Sequence, residues 1–303
     1  MGFKDLWWPI DVIGCHFLGK RFIGAQNVSG VLKTGECLKD QGFKMTYNLL
    51  GEHVKDEKTV DAAVDTTLAL IDTMNPRNCG NVSCKPTLYG LAISKELFLK
   101  KMTPVIEQAF SRGIEVEFDA ESYEYIPDTF EVFSSFASRP VFRNIVRQAV
   151  QAHLSEINRL MREYKLWNKN LRIVKGSGVY IEDPSIVLSD PSEVNENYLN
   201  IFRKNLKTGR VPFVATVRDR KLAEEIIKAS ERGRFPFEFQ FLYGPLGKSL
   251  RKKLLERGYP VRIYVPFTDK WCEDVWKSYG LRRAQMIRRM LLSEFLTAKF
   301  FTA

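Results

Sequence analysis

Short apolar runs rich in β-branched and aromatic residues recur along this chain. Each closes on polar residues, and each is followed by a stretch with helical spacing. The runs are FKMTYNLL, GNVSC, IEVEFD, a weaker NIVRQAVQA, LRIVKG, VPFVATV, FEFQFLYG and VRIYVPF. Between them the apolar spacing predicts helices over Val60–Met74, Lys95–Ser111, Phe130–Ser138, Ser155–Tyr164, Ser192–Leu206, Arg220–Arg232 and Lys248–Arg257. A last helix is expected over Asp269–Leu296. A strand-like run followed by a helix, repeated in this way, calls for parallel strands joined by crossovers. Eight such units in about 250 residues is the size of a (β/α)8, or TIM-like, barrel. A doubly wound sheet is the alternative, but it needs fewer units and shows a glycine fingerprint after its first strand. The first strand here ends NLLGEHV, with a single glycine. The expected organisation is one barrel domain over residues 1–303. An N-terminal docking arm would occupy 1–40, and the barrel with its C-terminal lid helix 41–303.

In such a barrel, chemistry gathers where the strands end at their C-terminal face. Those ends carry Asn48 and Glu52, Lys85, Asp119 and Glu121, Gln151, Lys175, Thr216, Gln240 and Tyr243, and Tyr264. Each alone has a plain explanation, such as a cap for Asp119 or a snorkelling stem for Lys85. Their joint placement marks a site.

Composition narrows the classes. Five cysteines without a CxxC pair, and three histidines outside any ligand spacing, suggest neither a disulfide framework nor a zinc site. The opening MGFKDLWWPIDVIGCHFLG is apolar and aromatic but has no basic leader, so it reads as the docking arm, with membrane contact as the alternative. The chain carries a net charge of +10, and Arg251 to Met290 holds eleven Lys/Arg against four Asp/Glu. A basic end of this kind suits nucleic acid, an anionic membrane, an anionic ligand or simply a solvated helical face. Two phosphate-loop lookalikes fail on spacing. GPLGKS has Leu242 where the first P-loop glycine belongs, and KGSG has Ile181 where a third dinucleotide-loop glycine belongs.

Within SYGLRRAQ, Tyr279 is followed at three and four residues by Arg282 and Arg283, so the three can share a helix face. From the residues alone this is either an exposed, ion-paired helix or an anion clamp. The blocks NLLGE, FDAES, VQAHL, LRIVKG, FEFQFLYG, RIYVPF and YGLRR settle the preference. In this order and spacing, from about Arg21 to about Arg289, the chain resembles the proline dehydrogenases, which are FAD-dependent (β/α)8 enzymes. The resemblance implies that Lys85, Leu242, Tyr264, Tyr279, Arg282 and Arg283 bind the substrate, with the two arginines on its carboxylate. It implies Asp119 and Arg172 as the catalytic pair, with Arg172 close to the flavin N5. It also implies cofactor contacts at Ala120, Gln151, Arg172, Lys175, Gly176, Ser177, Thr216 and Val217. The implied activity is oxidation of L-proline to Δ1-pyrroline-5-carboxylate, with electrons passed to a quinone. The expected setting is cytoplasmic, with peripheral contact on the inner face of a membrane, and no nucleic acid is expected as partner.

The chain departs from the family pattern at four places. Val217 stands for a histidine, Met286 for a glutamate and Asn48 for an aspartate. In KGSGVY, either Gly178 replaces a pocket tyrosine or an insertion delivers Tyr180 to its place. The competing readings are a dehydrogenase for another cyclic or substituted amino acid, a barrel without catalysis, and a nucleic-acid binder using the basic end.

Overall fold

The computed structural model describes residues 20–75, 80–176, 180, 182–217, 220–231, 234–272, 275 and 279. The strands are β1 Lys44–Leu49, β2 Gly80–Cys84, β3 Glu115–Phe118, β4 Val146–Gln151, β5 Asn170–Val174, β6 Phe213–Ala215, β7 Glu238–Leu242 and β8 Val261–Phe267. They close in sequence order into an all-parallel barrel, with β8 returning to β1 through pairs such as Met45 with Ile263. Helix α1 spans Val28–Asp40, α2 Glu57–Thr73, α3 Lys95–Ser111, α4 Ile126–Ala137, α5 Ile157–Glu163, α6 Pro191–Leu206, α7 Arg220–Ala229 and α8 Lys248–Glu256.

Alternation along each strand divides the molecule into two interiors. Outward-facing residues pack under the helices. Phe118 of β3 meets Phe98 of α3 and Phe133 and Phe136 of α4, with ring centroids 5.9, 5.6 and 6.2 Å away. Burying each ring contributes about 2–3 kcal/mol, and favourable edge contacts add about 0.5–1.5 kcal/mol per pair. Inward-facing residues fill the lumen with polar and charged groups. At its N-terminal mouth the Arg147 and Arg262 guanidinium groups lie 3.4 and 4.5 Å from the centroid of the Phe213 ring. Arg147 pairs with Glu115, and Glu238 bridges Arg262 and Lys44. Charge is tolerated there because every member has an opposite partner, which for buried pairs roughly offsets the desolvation cost.

The helix starts follow their caps. Asp56 accepts from Thr59 N–H and so begins α2 at Glu57, ahead of the expected Val60. Pro127 in the first turn lets α4 begin at Ile126, ahead of the expected Phe130. No helix was expected over Val28–Asp40, where Gly30 and Gly35 depress helical propensity. Both glycines are required by packing: a Cβ at Gly35 would stand 1.9 Å from the Tyr47 hydroxyl, and one at Gly30 2.9 Å from Ala25 Cβ.

Helix α1 lies against β1 and β8 and covers the seam where the barrel closes. The segment before it reaches the C-terminal mouth. Gly24 N–H donates to Pro266 O at 2.7 Å, and Ala25 pairs in parallel with Phe267. Beyond β8 the chain makes a 3-10 turn over Lys270–Cys272, and residues 275 and 279 are helical. The rest of the expected Asp269–Leu296 lid helix, and residues 1–19 of the expected arm, lie outside the described residues. Among the described residues no helix is long and apolar enough to cross a membrane.

Candidate active site

Lys85 and Asp119, just past β2 and β3, meet Arg172 and Tyr264 from the middle of β5 and β8, so four ionisable side chains converge on one point. Asp119, immediately after β3, is held by its backbone N–H on Cys84 O. Its Oδ1 accepts from Arg172 Nη1 at 2.7 Å and from Ala120 N–H at 2.9 Å. Its Oδ2 accepts from the Tyr264 hydroxyl at 2.8 Å and lies 3.3 Å from Lys85 Nζ. Arg172 also stacks on the Tyr264 ring, its guanidinium carbon 4.6 Å from the centroid. Burial pushes the Asp119 carboxyl up, but Lys85, Arg172 and the Tyr264 hydroxyl outweigh it and hold the group well below the usual carboxylate range. Burial likewise opposes the Lys85 ammonium, and Asp119 more than restores it, so Lys85 stays charged.

Tyr180 adds a fifth group. Its hydroxyl accepts from Lys85 Nζ at 3.3 Å. Of the two candidates in KGSGVY, Tyr180 therefore stands beside Lys85, while Gly178 lies outside the described residues. Asn48 is committed elsewhere, its amide donating to Ser83 O at 3.1 Å across the β1–β2 pair. An aspartate there could not make that bond, because an ionised carboxylate only accepts.

A second group forms an arc over the ends of β4, β5 and β6. Ala152 N–H donates to Val174 O, His153 N–H to Lys175 O, and Lys175 N–H to the Thr216 hydroxyl at 2.7 Å. This lattice sets Gln151, Lys175, Gly176, Thr216 and the buried Val217 side by side. Gly176 has φ +88°, and a Cβ there would stand 2.2 Å from His153 Nδ1, so no other residue fits. Thr216 has φ +59°, uncommon for a β-branched residue, and its hydroxyl also donates to Ala215 O. Whatever else Thr216 contacts, its hydroxyl braces the Lys175 backbone.

Leu242 and Tyr279 line the same mouth from the other side. The buried Tyr279 packs with Phe22 and Leu50, and Leu242 lies against that cluster. Phe22 was missed because it lies in the segment read as an arm. Glu117, fully buried two residues before Asp119, was missed as well: its Oε1 lies 3.1 Å from Arg172 Nη1. Ser177, Arg282 and Arg283 lie outside the described residues. A separate cleft of about 560 Å³ between α1 and the end of α2, lined by Leu32, Lys33, Glu36 and Met74, carries none of this chemistry.

The residues of the arc suit a flat, electron-accepting ring. Arg172 Nε is buried with no hydrogen-bond acceptor among the described residues, a donor of the kind that a bound group would satisfy. Gln151 ends β4 and Lys175 follows β5 on the same rim.

Comparison with known proteins agrees with this architecture. The sequence pattern of the family described as proline dehydrogenase matches residues 31–285. Proline dehydrogenase 2 of Bacillus subtilis is 28% identical over 261 residues, covering 85% of this chain and 84% of that one. A proline dehydrogenase of Deinococcus radiodurans is 25% identical over 269 residues, covering 84% and 83%. Among solved structures, proline utilization A of Bdellovibrio bacteriovorus, inactivated by N-propargylglycine, superposes with a TM-score of 0.77 at 20% identity. That superposition covers 89% of this chain and 32% of the other, so the chain spans about a third of the solved protein. The chain belongs to the proline dehydrogenase family.

Proposed function

We propose that this member of the proline dehydrogenase family oxidises L-proline to Δ1-pyrroline-5-carboxylate, with FAD as the hydride acceptor and a quinone as the onward acceptor. The observation that carries the reading is the convergence of Arg172, Lys85 and Tyr264 on the Asp119 carboxylate at the C-terminal mouth. When bound, FAD supplies the two-electron acceptor, and Gln151, Arg172, Lys175, Gly176 and Thr216 would hold it.

The chain's own part is positioning and electrostatics. The carbon next to the ring nitrogen gives up hydride only when the nitrogen is unprotonated. Lys85 and Arg172, both held charged, disfavour a further positive charge on that nitrogen. Asp119 locks both cations and the Tyr264 hydroxyl in one arrangement before substrate arrives, so little reorganisation is left for the reaction. Arg282 and Arg283, with planar forks, suit the two oxygens of the substrate carboxylate. Tyr264 and Tyr279 close the apolar sides of the pocket and help to exclude water.

The purified protein should show flavin absorption and reduce a dye acceptor with L-proline. A colourless protein that does not take up FAD, or one that takes up FAD and leaves proline untouched, would sink this reading. Flotation with anionic liposomes at low salt tests the membrane contact that a quinone acceptor requires.

A further inference from the structure

Glu117 is a buried charge that the mechanism above does not use. The side chain is fully buried in the lumen, one layer below Asp119 on the same face of β3. Neither carboxylate oxygen has a hydrogen bond among the described residues. Its close partner is Arg172 Nη1 at 3.1 Å, and the same nitrogen donates to Asp119 at 2.7 Å. One guanidinium therefore serves two carboxylates, and they are held very unequally. Asp119 has Lys85, the Tyr264 hydroxyl and Ala120 N–H in addition, whereas Glu117 has Arg172 as its close partner and otherwise only the weaker pull of Arg147.

The surroundings of Glu117 carry few other charges. Its own strand offers the like-charged Glu115 and Asp119. Strand β4 brings Arg147, already paired with Glu115, and β8 brings the Tyr264 ring and Arg262, the latter paired with Glu238. Lys85 beyond β2 points its ammonium at Asp119, and Lys44 of β1 joins Glu238 of β7 at the far mouth. Burial raises the Glu117 carboxyl more than Arg172 lowers it. Two carboxylates with shared surroundings but opposed shifts mark which of them keeps its charge and which exchanges a proton.

We propose that Glu117 is a proton-exchanging positioning residue: it anchors Arg172 from below in the empty site and takes one proton when a substrate carboxylate enters above. The proposal rests on the function proposed above. An incoming carboxylate brings negative charge into a water-poor mouth and competes for the same cations. The anion with the fewest partners yields first, and that is Glu117. The proton comes from solvent through the C-terminal mouth, where the Arg172 and Asp119 side chains each keep 11% exposure. Once neutral, Glu117 releases its share of Arg172 toward the upper layer.

The test uses the full chain loaded with FAD and an inert isostere of proline carrying oxygen in place of the ring nitrogen. Calorimetric titration near neutral pH, in two buffers of different ionisation enthalpy, counts the protons taken up on binding. The wild type should take up a proton fraction, and its affinity should fall by up to about tenfold per pH unit across the window of uptake. Glu117→Gln should bind without that uptake and with a flatter pH profile, and Glu117→Asp should restore both. Equal uptake by wild type and Glu117→Gln, or none by the wild type, overturns the proposal and leaves the functional reading standing. Failure of the isostere to bind the wild type overturns both. Should Glu117→Gln not fold, infrared difference spectra decide: a protonated-carboxyl band that grows on binding and moves in Glu117→Asp supports the proposal, and its absence refutes it.

Discussion

Thr216 offers a sharp test of how the cofactor rim is built. Its hydroxyl accepts from Lys175 N–H at 2.7 Å and donates to Ala215 O at 2.6 Å, and its backbone sits at φ +59°. Thr216→Val keeps the shape and the backbone cost but leaves the Lys175 N–H without its acceptor. A part-buried donor left unsatisfied costs about 1–3 kcal/mol. Thr216→Ser keeps both bonds and should stay within about 0.5 kcal/mol of wild type. Thr216→Gly loses the hydroxyl but also sheds the left-handed cost of about 1–2 kcal/mol, part of which returns as the flexibility of glycine in the unfolded chain. The expected order of stability without cofactor is Ser near wild type, then Gly, then Val. Urea unfolding reads it as a shift in midpoint at constant slope. FAD affinity, followed by flavin fluorescence, should fall for both Val and Gly because Lys175 and Gly176 lose their anchor. A Val variant as stable as wild type and with full FAD affinity would refute the bracing role.

Other consequences can be checked alongside. Because the folded Asp119 carboxyl lies below its unfolded value, its contribution to stability is present above about pH 4 and fades as the pH falls through the folded value. Asp119→Asn should therefore cost about 3 kcal/mol near neutrality and narrow its gap to wild type in acid, which denaturation across pH would show; a constant gap refutes the coupling. Gly176→Ala, at φ +88° and against His153, should lower both stability and FAD content, and a variant with full FAD content would contradict the close packing of the rim. Changing Arg282 or Arg283 to Met should reduce kcat/KM for proline by about one to two orders of magnitude while barely touching the weak turnover of pyrrolidine, which has no carboxylate. Equal losses on both substrates would make the arginines structural.

The barrel was legible because alternation and helical spacing survive in nearly every unit, and the polar strand ends could be read off once the fold was assumed. The lumen was not. A charged residue such as Glu117 within IEVEFD looks like the solvent face of an ordinary strand, since nothing local reveals that a closed sheet has no solvent face. Helix α1 escaped because Gly30 and Gly35 serve tight packing at the expense of helical propensity. For Thr216 the place was legible, but its second task of bracing the rim was not, because the Lys175 N–H that its hydroxyl accepts from lies 41 residues away in sequence.

The seam under α1 bears on how the chain reaches its native state during synthesis. Arg262 of the last strand donates to Met45 O of the first, 217 residues away in sequence. The ring cannot close until nearly all of the described chain has left the ribosome. Until then Glu238 and Arg262 remain hydrated near open strand edges, and they lose that water together in the closing step. A ring left one strand short exposes two unpaired edges, the form in which parallel sheets are most open to association. Stalled or truncated chains ending before Val261 should therefore be the aggregating species, whatever the stability of the finished barrel.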